Sequence, residues 1–434
     1  MRQLQIETRE NLKSTKHRMN ASQKIAESVN RYLNTYDTNK DKSWGLVLCP
    51  YDFIDRKQGG AIRTKNIIRL LSEDSPIISI SFKWDDTNQP VEIKKINETW
   101  IHIDIQHRGS ILGYLKVPDF HFLNWYTTEI THVARAIAKN LKIDYLWLEY
   151  SYMAFYSHLA NEFGCKAILS LQNIEWKLAK EILEEKKQGY LEPYGSWETI
   201  KQLEKIALNS IDAIVVTTDI DKNYCLSNSN INEITVAPNI ISERSINYNE
   251  YKTQNLLTEL ILVGDFNYPP NVEGIKWFLK MIENYSKHND NSIQFSLNVI
   301  GKGSHEILNE YSELTNIISH GYVDDLSKFY ATADASLIPL RSGSGSRLKA
   351  YEAIEYCKPI ITTSKGIEGI NYSELSDYVF LFSNAHEFFN ALKKLKKLKQ
   401  GNKALPMLEI YQKWYKREQS QFKSSILNAV RKIG

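Results

Sequence analysis

The feature that most restricts how this chain can fold is a short apolar run followed by an amphipathic stretch, repeated in two series. GLVLCP, IISISF, DYLWLEY, KAILSLQ, DAIVVTT and EITVAP form the first series of strand-length runs. Helical spacing lies between them, at 60–72, 152–163 and 197–209. The second series comprises ELILVG, FSLNVIG, IISHGY, DASLIPL, PIITT and YVFLF, with helical stretches near 271–283, 325–333, 346–357 and 385–399. Alternation of this kind, made twice, predicts two parallel-sheet domains with helices on both faces. Ligands of open parallel sheets bind beyond the carboxyl ends of the strands. Two such domains facing each other across a cleft therefore direct the search to the loops that follow the strands.

The polar stretch ISERSINYNEYKTQ marks the boundary between the series. This gives a polar, helical extension over 1–43, a first domain over 44–241 and a second over 242–400. A C-terminal helix over 401–434 is placed as crossing back to the first domain. In the extension, Leu4, Leu12, Met19, Ile25 and Val29 lie near helical spacing. Asp37, Asn39 and Asp41 alternate like a calcium loop, but Lys42 stands where that loop needs glycine and Leu48 where it needs a closing glutamate. The segment is read as a solvated linker.

Composition narrows the function classes. A net charge of +3 over 434 residues gives no global argument for nucleic acid. Cys49, Cys165, Cys225 and Cys357 lie far apart, which argues against a disulfide framework or a thiolate zinc site and suits a reducing compartment. The first twenty residues contain no apolar signal-peptide core, and no run reaches the length of a spanning helix. A cytoplasmic location is the expectation.

The most informative segment for chemistry is SLIPLRSGSGSRLKAYEAI, Ser336–Ile354. A strand enters the small-residue loop Ser342–Ser346, and a helix starts at about Ser346. Gly343 and Gly345 let backbone approach a ligand, and the free N–H groups of a helix start favour a phosphate. Arg347 and Lys349 place two cations in the first turn, where they oppose the helix dipole unless an anion is near. Glu352 shares a face with Lys349, placed to accept both ribose hydroxyls of a nucleotide. The plain alternative is a surface ion pair after a Gly/Ser turn.

GSGSRLKAYEAIEYCKPIITTSKGIEGI resembles the donor-site motif of the family-4 retaining glycosyltransferases, which have the GT-B fold. LILVGDFNYPPNVEGIKWF is similar to the first strand, glycine loop (Gly264) and helix of that family's donor domain. FSLNVIGKGS is similar to the next strand and loop, and ISHGYVDDLSKFYATADASLIPL to the base-contacting turn. In the front half, QGGAIRTKNIIRLL resembles its glycine-rich first loop, while IDAIVVTTDIDKNY and ITVAPNII resemble its last front-domain strand and crossover. The resemblance spans roughly 45–400.

It implies a GT-B fold of two Rossmann-like domains and a hexosyl- or other glycosyltransferase that retains anomeric configuration. By the resemblance, Glu352 holds the ribose, Arg347 and Lys349 hold the diphosphate and stabilise it as it leaves, and backbone near Val323 meets the base. Gly59 and Gly60 approach the donor from the other domain, and the Gly343–Ser344–Gly345–Ser346 loop lines its phosphates. The nucleotide sugar is a co-substrate, with no bound cofactor and no metal. The acceptor is a glycan, a lipid-linked sugar, a protein or a metabolite.

The sequence departs from the pattern at several points. Many members have two glutamates eight apart; Ser344 stands at the first position and Glu352 at the second. Asp265 follows Gly264 where a basic pair is frequent, Asn271 occupies a common lysine position, and Gln172 stands where many members have an active-site histidine. Cys357 replaces a frequent glycine.

Weaker signals have bland readings beside the functional ones. Asp219 and Asp221 have the Asp-x-Asp form of metal-dependent sugar transferases, but they open a helix where acids suit the dipole. The ten histidines show no ligand spacing. Glu149 at a strand end is a candidate acceptor contact or a partner of loop backbone. Trp125, Tyr126, Tyr150 and Tyr152 are read as core or rim aromatics rather than a sugar platform. LKKLKKLK is read as a half-buried helix with a solvated lysine face, peripheral membrane contact being the less favoured reading. Two rivals to an active transferase are a catalytically silent GT-B subunit that partners one and a nucleotide-sugar epimerase.

Overall fold

The computed structural model describes residues 20–35, 42–54, 59–83, 89–106, 125–185, 197–239, 257–288, 295–343, 347–400 and 404–433. Two compact units emerge, Met1–Ala237 with Lys423–Gly434, and Pro238–Phe422. Among the described residues, no helix is long and apolar enough to cross a membrane.

The first unit is built on an eight-stranded sheet. Its strands are β1 (Trp44–Leu48), β2 (Ile77–Lys83), β3 (Val91–Asn97), β4 (Trp100–Gln106), β5 (Ile143–Glu149), β6 (Lys166–Ser170), β7 (Ala213–Val216) and β8 (Ile234–Val236). They are ordered β3-β4-β2-β1-β5-β6-β7-β8, and all neighbours run parallel except β3 against β4. The uniform burial of β1, β6 and β7 follows from their apolar runs, Lys166 excepted. β3 and β4 are not among the strands expected from the sequence. VEIKKIN is a half-exposed edge strand whose polar residues hide it. WIHIDIQ alternates apolar and polar side chains, a period-two signal that was available to read.

The helix over 20–35 is no loose appendage. Ile25, Val29 and Leu33 are buried in the same core as the strands, and Asn140 Nδ2 donates to Asn30 Oδ1 at 2.8 Å. Asp37, Asn39 and Asp41 lie outside the described residues.

The second unit holds β9 (Thr258–Val263), β10 (Phe295–Ile300), β11 (Ile317–Gly321), β12 (Ala335–Ile338), β13 (Ile360–Thr362) and β14 (Val379–Leu381). Their order is β11-β10-β9-β12-β13-β14, all parallel. Phe278, Phe295, Phe382 and Phe388 form the centre of its core with Leu260, Leu297 and Leu395.

Strand order reverses between β9 and β12 in this sheet and between β1 and β5 in the other. Connections leave a switch point in opposite directions, opening a crevice at the carboxyl ends of the two strands. The loops that begin at Gly264 and Pro339, and at Cys49 and Tyr150, are therefore where each unit can hold a ligand.

Candidate functional site

In the second unit, three adjacent strands end in glycine. Gly264 follows β9, Gly301 follows β10, and Gly321 ends β11. Hydrogen bonds tie them in series, Gly264 N–H to Ile300 O at 3.0 Å and Gly301 N–H to Gly321 O at 2.7 Å. At Gly301 (φ +142°), a Cβ would fall 1.6 Å from the Gly264 carbonyl oxygen, so a side chain is excluded. The result is a ledge of bare backbone on the carboxyl edge. Gly301 and Gly321 were not singled out from the sequence, although a glycine closing each strand was the signal.

Lys349 reaches this ledge from the helix Leu348–Glu355. A Cβ on Gly264 would lie 3.4 Å from Lys349 Nζ and 3.2 Å from Asn271 Nδ2. Lys349 Nζ donates to Asn271 Oδ1, and Asn271 Nδ2 donates to the Asp265 carbonyl at 2.7 Å. Asn271 is thus a strut for the ammonium. Burial, and next the charge of Arg347, bring the Lys349 pKa down to about 8.

Arg347 stands at the N-cap of the same helix, 6% exposed. Its Nε donates to the Lys365 carbonyl at 2.8 Å, and one terminal nitrogen donates to the Gly343 carbonyl at 2.7 Å and pairs with Glu368 at 3.0 Å. The guanidinium therefore fastens the loop after β12 to the turn Lys365–Ile367. Gly343 adopts φ +99°, which its lack of Cβ permits. Ser344, Gly345 and Ser346 lie outside the described residues.

Glu352, one turn on, receives a hydrogen bond from Tyr330 Oη at 3.4 Å. Burial, reinforced by the charge of Glu355, raises its carboxyl to about 7. Tyr330 is fully buried and stacks on Tyr356 with centroids 4.1 Å apart. Val323 packs on the cluster of Ile261, Ile300 and Tyr330 just beyond β11.

The first unit brings together Glu149 and Gln172, two residues that the sequence left unconnected. Gln172 Nε2 donates to Glu149 Oε2 at 2.9 Å, the Trp147 indole donates to Oε1 at 2.7 Å, and Thr64 Oγ1 lies 3.3 Å from Oε2. Glu149 is fully buried, so three neutral donors rather than loop backbone satisfy it. Tyr150, beside it, holds φ +70°, a strained conformation for a bulky residue. Gly60 lies in the first turn of the helix Gly59–Asp74, where a Cβ would sit 2.1 Å from Tyr150 Oη. Trp125, Tyr152 and Tyr150 stack in succession and are buried, with Tyr51 edge-on. Tyr126 packs on Tyr156.

Asp219 and Asp221 open the helix Asp219–Asn228. Asp221 accepts from the hydroxyls of Thr217 (3.1 Å) and Thr218 (2.7 Å), and its N–H donates to Thr218 Oγ1 at 3.1 Å. This reciprocal N-cap gives Asp221 a complete structural account. The fold does gather Asp52, His102 and Asp104, with one potential ligand atom of each within 4.8 Å of the others. His102 Nε2 lies 2.9 Å from Asp104 Oδ1, while Lys83 and Lys94 stand 3.6 and 3.5 Å from Oδ2. Those ammoniums supply the positive charge a cation would bring, and we read the cluster as an ion-paired network.

Three residues beyond Gln172, the N–H of Glu175 donates to Glu204 Oε1 at 3.0 Å, capping the helix Glu175–Glu185. Burial raises the Glu204 carboxyl to about 7. A carboxyl raised above its unfolded value binds its proton more tightly in the folded state. Stability is therefore lost as pH rises from about 4.5 towards 7. Glu204→Gln keeps an accepting oxygen without the charge. Its melting temperature is expected to fall less between pH 5 and pH 8 than that of wild type, the difference corresponding to about 2–3 kcal/mol. Parallel pH dependence of the two proteins would show that Glu204 ionises freely.

Comparison with known proteins gives two findings. Residues 258–397 match the family model "Glycosyl transferases group 1", while no curated protein is similar in sequence to the chain. Among solved structures, the chain is similar to sucrose-phosphate synthase from Thermosynechococcus elongatus, at 12% identity and TM-score 0.62, over 89% of this chain and 97% of that one. It is similar to a glycosyltransferase from Rickettsia africae ESF-5 at 14% identity and TM-score 0.59, over 91% and 99%. It is also similar to the catalytic domain of starch synthase IV from Arabidopsis thaliana, bound to ADP and acarbose, at 11% identity and TM-score 0.57, over 90% and 99%. Likeness at such low identity speaks for the fold. The chain has the GT-B fold of two Rossmann-like domains, and its second unit carries the group 1 glycosyl transferase match.

Proposed function

We propose that the chain is a glycosyltransferase that moves a sugar from a nucleoside-diphosphate donor to an acceptor hydroxyl with retention of configuration. The observation that carries this reading is the convergence of Lys349, Asn271 and the bare Gly264 backbone at the switch point of the second sheet, with Glu352 one turn from Lys349. As the bond between anomeric carbon and phosphate oxygen breaks, negative charge grows on the departing diphosphate. Lys349 and the N–H groups that open its helix are held in advance where that charge appears, which is the most effective use of a dipole or cation in catalysis. Glu352 accepts the ribose hydroxyls. A relative of the same fold bound to ADP supports a nucleoside diphosphate as the leaving group.

A thermal-shift panel of nucleotide sugars tests the reading, because a ligand at a hundred times its Kd stabilises the fold by about 2.7 kcal/mol. A panel without any shift, together with neither transfer nor hydrolysis of donor by the purified chain, would favour the silent-subunit alternative. With the Lys349 ammonium and the helix N–H groups at the diphosphate, the reading calls for no metal. Turnover is expected to survive EDTA, and loss that a divalent ion restores would return Asp219 and Asp221 to consideration.

The pH dependence follows from two groups. Glu352 accepts ribose hydroxyls best when ionised, so affinity rises as pH climbs through about 7. Lys349 attracts diphosphate only when protonated, so affinity falls as pH passes about 8. Nucleoside-diphosphate affinity is expected to peak between them, and titrations by calorimetry from pH 6 to 9 check this. A flat profile would remove both residues from the site.

A further inference from the structure

The helix Ala385–Gln400 carries the run LKKLKKLK, which the transfer reaction leaves without a role. Its leucines are spoken for, since Leu392 and Leu395 are buried in the core of the second unit and Leu398 packs against it. The helix is therefore fixed, with its opposite face committed to solvent. On that face Lys393, Lys394, Lys396 and Lys397 are all exposed, and none forms an ion pair among the described residues. Lys399, on the flank, is the lysine of this helix that finds a carboxylate, Asp334 at 2.6 Å. The helix dipole accounts for cations in the last turn, Lys397 and Lys399, but not for Lys393 and Lys394 further back. The four free ammoniums lie within about 6 Å along the axis. The charge is unbalanced locally, since the stretch LKKLKKLKQ over 392–400 holds five lysines and no carboxylate.

We propose that the lysine face of this helix, Lys393, Lys394, Lys396 and Lys397, is a docking surface for an anionic lipid bilayer. The chemistry of the face selects among polyanions. It holds lysine point charges and no arginine fork, so it lacks the planar group that binds a single phosphate through two parallel bonds. The helix carries no Trp or Tyr for a nucleobase to stack on, and its Phe389 is already stacked on Tyr285 with ring centroids 4.4 Å apart. An array of mobile ammoniums on a convex, rigid helix matches a surface of delocalised negative charge, to which each lysine adds a comparable increment of attraction. With the leucines buried, nothing on this face inserts into hydrocarbon. Binding is electrostatic and reversible.

Co-sedimentation of the full chain with vesicles tests this, using phosphatidylcholine alone and phosphatidylcholine mixed with phosphatidylglycerol. Retention is expected on the mixed vesicles at low salt, to disappear at high salt, and to be absent on phosphatidylcholine. The variant Lys393→Glu/Lys394→Glu/Lys396→Glu/Lys397→Glu should bind mixed vesicles about a hundredfold more weakly or worse. The changed residues are exposed, so its melting temperature should stay close to that of wild type. Should it fail to fold, Lys396→Gln/Lys397→Gln, which adds no negative charge, should still weaken binding about tenfold or more. Failure of wild type to sediment with anionic vesicles would overturn the proposal, as would equal binding to both lipids or undiminished binding by the variants. Stronger, lysine-dependent binding to duplex DNA than to vesicles would also overturn it and assign the face to nucleic acid. Vesicle binding is read without a nucleotide sugar, so it stands or falls separately from the transferase assignment.

Discussion

Lys349→Ala is expected to lower turnover by about two to three orders of magnitude, the usual effect of removing one preorganised donor to a developing anion. The effect should fall on kcat as well as KM, because charge on the diphosphate grows in the transition state. Stability should not suffer. The folded protein depresses the Lys349 pKa to about 8, which means that folding disfavours the charged form. Relief from that charge at neutral pH, together with the good helix propensity of Ala, keeps the melting temperature at or above that of wild type. Asn271→Ala should lose less, since the ammonium remains but its strut is gone. Steady-state kinetics with the donor identified by thermal shift, beside melting curves, check both. Near-wild-type turnover in Lys349→Ala would leave this helix as scaffold.

Arg347→Ala should show a different pattern, with stability and turnover falling together. The guanidinium is nearly buried and serves two backbone carbonyls and Glu368 at once. Its loss leaves those acceptors without their charged donor, at a cost of roughly 3 kcal/mol. For a unit of this size the melting temperature should fall by about 5–10 °C. Turnover drops because the loop after β12 loses its anchor to the turn Lys365–Ile367. Arg347→Lys should recover only part of either loss, because a single ammonium cannot reproduce the spread of the planar fork. A variant that melts and turns over like wild type would show that the loop holds its shape unaided.

How much of this was legible beforehand depended on whether the information is local. The buried strands announced themselves as apolar runs, and the helix over 385–399 by its leucine spacing. β3 did not, because an edge strand with a wet face needs few apolar residues, and VEIKKIN has three. Lys349, Arg347 and Glu352 were readable as a set because one six-residue stretch, the N-cap and start of a helix, carries them. Their settings were not. The link from Lys349 to Asn271 spans 78 residues, and the contacts of Arg347 with Lys365 and Glu368 depend on how β13 lies beside β12. Glu149 likewise ends β5 and Gln172 lies two residues beyond neighbouring β6, so only sheet order makes them partners.

The helix Ala404–Arg431 has a consequence for how the chain matures. Lys423–Gly434 groups with the first unit, yet it follows the entire second unit in sequence. There Lys423 meets Glu73, Arg431 meets Asp74 and Lys432 meets Glu233, at separations of 350, 357 and 199 residues. Emerging from the ribosome, the first 237 residues are thus one segment short until the second unit has been synthesised. Loop closure over such distances is slow relative to local collapse, so the first unit spends that interval incomplete. Expressed without its distant partner segment, it should be prone to self-association, and supplying that segment in trans should relieve it.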